Sequence, residues 1–115
     1  MSKADHYRAL ESMYASAPIN EFFEPSVTVS DGASEIIIDL SEKHHHAAGA
    51  VHGSVYFKML DDAAFFAANS CEEEVFVLTT SFTTYLTRPV SEGTLRSVGK
   101  LVSRNKTQFI AEAVV

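Results

Sequence analysis

The residues able to do chemistry crowd into one stretch, His46 to Ser70, which reads HAAGAVHGSVYFKMLDDAAFFAANS. Two carboxylates, Asp61 and Asp62, stand in the middle of a run with no Pro and no internal Gly after Gly53. Val55, Tyr56, Met59, Leu60, Ala63, Phe66 and Ala67 recur in it at helical spacing. Phe57, Ala64, Phe65 and Ala68 fill most of the remaining circumference, and a helix apolar on nearly every side is a buried one. An ionised carboxylate buried there without a partner costs roughly several kcal/mol, so at least one of the two faces a pocket, an interface or water. Adjacent helix residues diverge by about 100°, so both cannot enter one small pocket. The Gly-rich turn Gly49 to Gly53 precedes the helix, and a helix start near Gly53 exposes main-chain N–H groups carrying partial positive charge. Such amides can stabilise a developing negative charge, and a carboxylate can serve as a base or a nucleophile. His44, His45 and His46 run consecutively and point in different directions on a strand or turn, so they do not share one metal; zinc spacings are absent.

Turn, helix, acid and following strands, in this order over roughly residues 25–115, resemble the hotdog-fold thioesterases. The nearer likeness is to the branch that includes the phenylacetate-pathway and 4-hydroxybenzoyl-CoA-type acyl-CoA thioesterases. In that family a turn usually reading H-G-G leads into a long helix wrapped by a curved antiparallel sheet. The catalytic acid lies eight residues after the first Gly of the turn, which here runs from Gly53 to Asp61. The resemblance therefore implies hydrolysis of an acyl-CoA thioester to free acid and coenzyme A, with Asp61 attacking the carbonyl or deprotonating a water. It places the Gly53 amide as oxyanion donor and leaves Asp62 as a polar contact or rim residue. His52 matches the motif His. His46 stands where the family often has Asn, and an imidazole still donates and accepts while adding titration near neutral pH. Ser54 replaces a usual Gly and can cap the helix. Thr79 falls where related enzymes hold the nucleophilic water, and Arg88, Arg104 and Lys106 are candidates for the coenzyme A phosphates. The resemblance also implies a homodimer or dimer of dimers, and no cofactor beyond the coenzyme A of the substrate. Two alternatives on the same fold stay open: a non-catalytic acyl-CoA-binding or regulatory domain, and a hydratase or dehydratase. The acyl group is undetermined, since Tyr56, Phe57, Phe65 and Phe66 suit an aryl or a medium-chain pocket equally.

The elements that must position these residues read as α+β. Residues 3–15 form an amphipathic helix with Tyr7, Leu10, Met13 and Tyr14 on one side, ended by Pro18. Residues 19–25 are an apolar connection. Val27–Val29 and Glu35–Leu40 make a strand pair about Asp31-Gly32, with Ile36, Ile38 and Leu40 sharing a face. The central helix covers about residues 53–69. After it, Thr-rich alternation marks Val75–Thr87 as the clearest strand, with Phe76, Leu78, Phe82 and Leu86 on one face. Leu95–Ser103 and Thr107–Val115 are further strands, separated by a turn at Asn105-Lys106. The chain thus divides into an N-terminal helix and connection, 1–24, and a hotdog core, 25–115, in one domain. Family members usually add one more strand, so an uncovered sheet edge is expected.

At 115 residues and 46% hydrophobic, the chain holds enough apolar content for one core. No apolar run reaches about 18 residues, and the N-terminus lacks an apolar stretch behind basic residues, so neither a membrane span nor a secretory leader is expected. Cys71 is the sole cysteine, which excludes an internal disulfide and fits a reducing cytoplasm. A net charge of −6 argues against general nucleic-acid binding. That charge is uneven. Residues 1–75 hold 13 acids and 4 bases, a net of −9; residues 76–115 hold 2 acids and 5 bases, a net of +3. The basic C-terminal part suits an anionic ligand such as a nucleotide phosphate.

Overall fold

The computed structural model describes residues 2–115. Helix α1, Lys3–Ser16, opens on a reciprocal cap in which Ser2 and Asp5 each bond the other's backbone N–H. It stops at Ala17, held extended by the Pro18 that follows. The apolar connection coils into a single turn, α2, Asn20–Phe23, and strands β1, Ser26–Ser30, and β2, Ala33–Asp39, follow. Gly32 sits at φ +66° in the β1–β2 turn, a conformation that costs an L side chain and not Gly. A 3₁₀ turn, Glu42–His44, leads to α3, Gly53–Asn69, and the chain closes with β3, Thr94–Arg104, and β4, Phe109–Val114. The four strands form one antiparallel sheet in chain order.

Helix α3 lies against this sheet at backbone distance, and small residues at one place permit it. Ser34 and Gly99 are register partners on β2 and β3; the Ser34 hydroxyl donates to the Ala63 carbonyl at 2.5 Å. A Cβ on Gly99 would stand 2.1 Å from that same oxygen. Two residues along β3, Ser97 donates to the Met59 carbonyl at 2.9 Å. Around this contact the core closes: Ile36, Met59 and Ala63 are fully buried, with Val29, Ile38, Val55 and Phe66 nearly so. All seven apolar positions read as the inner face of the central helix are buried. At roughly 1.5–3 kcal/mol for each large buried side chain, this face is the main attraction between helix and sheet.

The two sheet edges are treated differently. On β1, Glu11 accepts from the Val29 N–H at 2.8 Å and Arg8 donates to the Val29 carbonyl at 3.0 Å, so α1 blunts the edge with side chains. Among the described residues no strand pairs with the outer edge of β4.

The expected strand Val75–Thr87 is not in the sheet. Residues 76–91 carry no helix or strand, and among the described residues no ladder partner lies beside them. Alternation expresses a local preference for strand, but a strand exists only where another lines up with it, and β4 is paired on its β3 side alone. Side chains hold the segment over α3 instead. Asn69 accepts from the Val77 N–H at 2.8 Å, Phe82 packs on Phe57 with ring centroids 4.8 Å apart, and the Tyr56 hydroxyl accepts from the Val90 N–H at 3.1 Å. Of the face read as apolar, Phe82 is half-buried, whereas Phe76, Leu78 and Leu86 are exposed.

Candidate active site

The N-terminus of α3 is capped by His52, not by Ser54. The Ser54 N–H donates to His52 Nδ1 at 3.0 Å, and the Ser54 hydroxyl lies 2.8 Å from the same nitrogen. An amide N–H only donates, so Nδ1 is the acceptor and the ring proton of the neutral imidazole sits on Nε2. Among the described residues the Gly53 N–H meets no acceptor, as a first-turn amide of a helix does. Leu86 of the 76–91 segment packs beside Gly53, its Cδ1 lying 3.6 Å from where a Cβ on Gly53 would be.

Two turns along α3, the two acids part company. The Asp61 carboxylate faces a cleft of about 1110 Å³ between α3, residues 75–88 and β4. There Thr79 Oγ1 donates to Asp61 Oδ1 at 3.0 Å. Burial raises the Asp61 pKa above the usual aspartate value; the Thr79 hydrogen bond pulls against it, Asp62 pushes with it, and Lys58 pulls against it more weakly. Asp62, about 100° around the helix, is occupied elsewhere. Its Oδ2 accepts from the Tyr14 hydroxyl at 2.6 Å and from Lys58 Nζ at 2.7 Å. Burial, with Asp62 beside it, pushes the Tyr14 phenol well above its usual range.

The remaining candidates divide. Arg88 and Lys106 line the same cleft as Asp61 and Thr79. Arg104 does not: it donates to the Cys71 carbonyl at 3.0 Å and lies over the Phe109 ring. His46 is exposed outside the cleft, where its Nδ1 accepts from the Ala48 N–H at 3.0 Å and shapes the turn. His52 and Gly53 are also outside it. The three consecutive histidines diverge: His44 is buried with its Nε2 unpartnered, His45 donates to the Ser91 carbonyl, and His46 faces solvent. Burial lowers the His44 pKa below the ordinary histidine value. Gly53 and Asp61 lie on one straight helix, eight residues apart, which at 1.5 Å per residue separates them by about 12 Å along the axis. One carbonyl cannot touch both within a single chain.

Sequence reading missed Tyr14 and Lys58. Lys58 and Asp62 stand at i and i+4, a spacing that brings side chains together and was legible. Tyr14 is 48 residues from Asp62, and nothing local announces that pairing.

The model of the thioesterase superfamily matches residues 48–115, more than half of the chain, and covers α3, the 76–91 segment, β3 and β4. No curated protein matches the sequence. Among solved structures, a thioesterase family protein from Silicibacter pomeroyi superposes with a TM-score of 0.80 at 20% identity, covering 97% of this chain and 92% of that one. The E. coli PaaI protein from the phenylacetic acid degradation operon gives 0.79 at 15% identity, with 96% and 90% covered. Zebra fish thioesterase superfamily member 2 gives 0.75 at 12%, with 93% of each chain covered. At these identities the likeness is one of fold. The chain belongs to the thioesterase superfamily, and its antiparallel sheet packed on one long helix is the hotdog fold. Among the described residues no helix is long and apolar enough to cross a membrane.

Proposed function

We propose that this protein hydrolyses an acyl-CoA thioester to the free acid and coenzyme A, with Asp61 as the reacting carboxylate. The observation that carries this reading is the division of labour between the acids: Asp62 is tied to Tyr14 and Lys58, while Asp61 faces a cleft with only a hydroxyl on it. Asp61 acts on the thioester carbonyl directly or through a water that Thr79 helps to hold. The electron pair of the C=O moves onto oxygen, where a main-chain N–H at Gly53 stabilises it. Collapse of the tetrahedral species then expels the coenzyme A thiolate, which takes up a proton; where Asp61 attacks directly, this leaves an acyl–Asp61 anhydride that a water then cleaves, releasing the free acid and restoring the carboxylate. Arg88 and Lys106, on the walls of the cleft, suit the phosphates of the substrate.

The spacing of about 12 Å between Gly53 and Asp61 makes the homodimer part of this proposal. One protomer supplies the amide and its partner the carboxylate. Val75, Phe76, Leu78, Tyr85 and Leu86 form an exposed apolar run that a second copy would cover.

A screen of acyl-CoAs with a thiol-reactive dye tests the activity. Asp61→Ala should abolish thiol release with far-UV circular dichroism unchanged; undiminished turnover removes Asp61 from its role. A second reading, an acyl-CoA-binding domain without turnover, draws on the 76–91 segment, which carries Thr79 without a ladder to fix it. Saturable binding with no hydrolysis of any acyl chain would favour it.

A further inference from the structure

The cluster behind Asp61 plays no part in the mechanism above, yet its geometry is specific. Asp62 takes both of its donors on one oxygen, from Tyr14 at 2.6 Å and Lys58 at 2.7 Å. The Lys58 ammonium sits 5.1 Å from the centroids of both the Tyr14 and Phe23 rings, and its side chain is only 12% exposed. Tyr14 is itself wedged edge-on against Phe66, with centroids 4.9 Å apart. This is an ion pair held in an aromatic enclosure, where Coulomb attraction is screened far less than at a surface.

Lys58 stands three residues before Asp61 and four before Asp62, so one ammonium neighbours both carboxylates on the helix. We infer that Lys58, anchored through Asp62 and Tyr14, is a positioning residue for Asp61: it offsets part of the neighbouring negative charge and so favours the ionised form of the cleft carboxylate at working pH. The inference rests on Asp61 being the reacting group. Without Lys58, Asp61 would adjoin an uncompensated carboxylate in a half-buried site, and like charges there favour the protonated, inactive form. The opposing influences of Asp62 and Lys58 on Asp61 agree in sign with this arrangement. The other charged groups facing the cleft are Glu72, Arg88, Arg96, Lys106 and Glu112, of which Arg96 is paired with Glu35. The phenols of Tyr56 and Tyr85 face it too.

The test is a carboxyl ¹³C NMR titration of Asp61 beside a pH profile of kcat/KM, in the whole protein and in Lys58→Met, Asp62→Asn and the double variant. Lys58→Met should raise the Asp61 midpoint and the acid limb of the profile by about one pH unit, the low end of what an opposite charge at close range produces. That is roughly a tenfold loss on the acid side. Asp62→Asn should move both down, and the double variant should fall between Asp62→Asn and the parent, because Asp62 acts on Asp61 more strongly than Lys58 does. A purely structural role would lower rates in all variants without opposite shifts. Should Lys58→Met fail to fold because it leaves Asp62 without its cation, the other two variants carry the comparison, since Asp62→Asn keeps an amide oxygen to accept from Lys58 and the double variant removes both charges. Coincident Asp61 midpoints in all folded variants overturn the inference. Opposite NMR shifts with an unmoved rate profile uphold the charge coupling and instead remove Asp61 as the reacting group.

Discussion

The Thr79 hydroxyl donates to Asp61 Oδ1 across 3.0 Å, and it does so from a segment that belongs to no strand. This bond joins the two walls of the cleft at the point where chemistry is proposed. It also opposes the effect of burial on the carboxylate. Thr79→Val, which keeps the shape and removes the hydroxyl, should let the Asp61 pKa climb further. In the proposed reaction the active form is the carboxylate, so a raised pKa costs activity from the acid side. The acid limb of kcat/KM should shift to higher pH, with the greater loss below neutrality and a smaller one at pH 8. Thr79→Ser should restore the profile, and an unshifted limb in Thr79→Val would mean that the hydroxyl does not act on Asp61.

Asp61→Asn should lower kcat by about 10³-fold, within the range for a positioned acid–base group. Its effect on stability should have the opposite sign. Burial raises the folded-state pKa of Asp61 above its unfolded value, so the folded chain binds the proton more tightly. Wild-type stability from this group is therefore fully present below the unfolded pKa and lost as pH rises through the folded one. Asparagine carries no such charge. Urea unfolding should show the variant gaining on wild type between pH 4 and pH 7, and equal differences at both pH values would contradict the burial argument.

Shared sites across a dimer can be tested by mixing two inactive proteins. Gly53→Pro removes the amide donor at the first helical position, where Pro is well tolerated. Asp61→Asn removes the carboxylate. Random reassortment of equal amounts makes half the dimers mixed, each with one intact site, so the mixture should regain about a quarter of wild-type activity. No recovery after co-refolding would place both groups' function within one chain or in different steps.

Gly99→Ala should be among the most damaging small substitutions in the molecule. Its Cβ would lie 2.1 Å from the Ala63 carbonyl oxygen and 2.4 Å from the carbonyl carbon, both backbone atoms of α3 that cannot swing aside. Helix and sheet must separate, at a cost of about 2–4 kcal/mol, above the usual range for an overpacked core site because the obstacle is backbone. Denaturant titration reads it directly. Gly49→Ala controls for backbone conformation alone, since that glycine has φ +83° and nothing within 4 Å of its Cβ position.

Much of the molecule was legible along the chain because its physics is local. The bounds of α3 followed from an apolar circumference ending at Asn69, and its burial from the same pattern. The β1–β2 turn followed from Asp31-Gly32, whose geometry only a glycine adopts freely. Asp61 and Asp62 could be told to point apart from the helical angle alone. What failed depended on partners distant in sequence. Val75–Thr87 has every local mark of a strand, yet strands are made by neighbours, and among the described residues none pairs with it. His52 rather than Ser54 caps α3, because the chain enters with the imidazole turned back over the first turn.

The sequence by itself determined the helix, the placing of two carboxylates on it and the family resemblance, since each is a matter of spacing within a few turns. Only the tertiary structure decided which carboxylate is spoken for. That answer required α1 to cross α3 so that Tyr14, 48 residues away, could meet Asp62 while Asp61 was left facing Thr79. A pairing between groups so far apart in the chain has no periodicity to announce it; it exists only once the helices have packed.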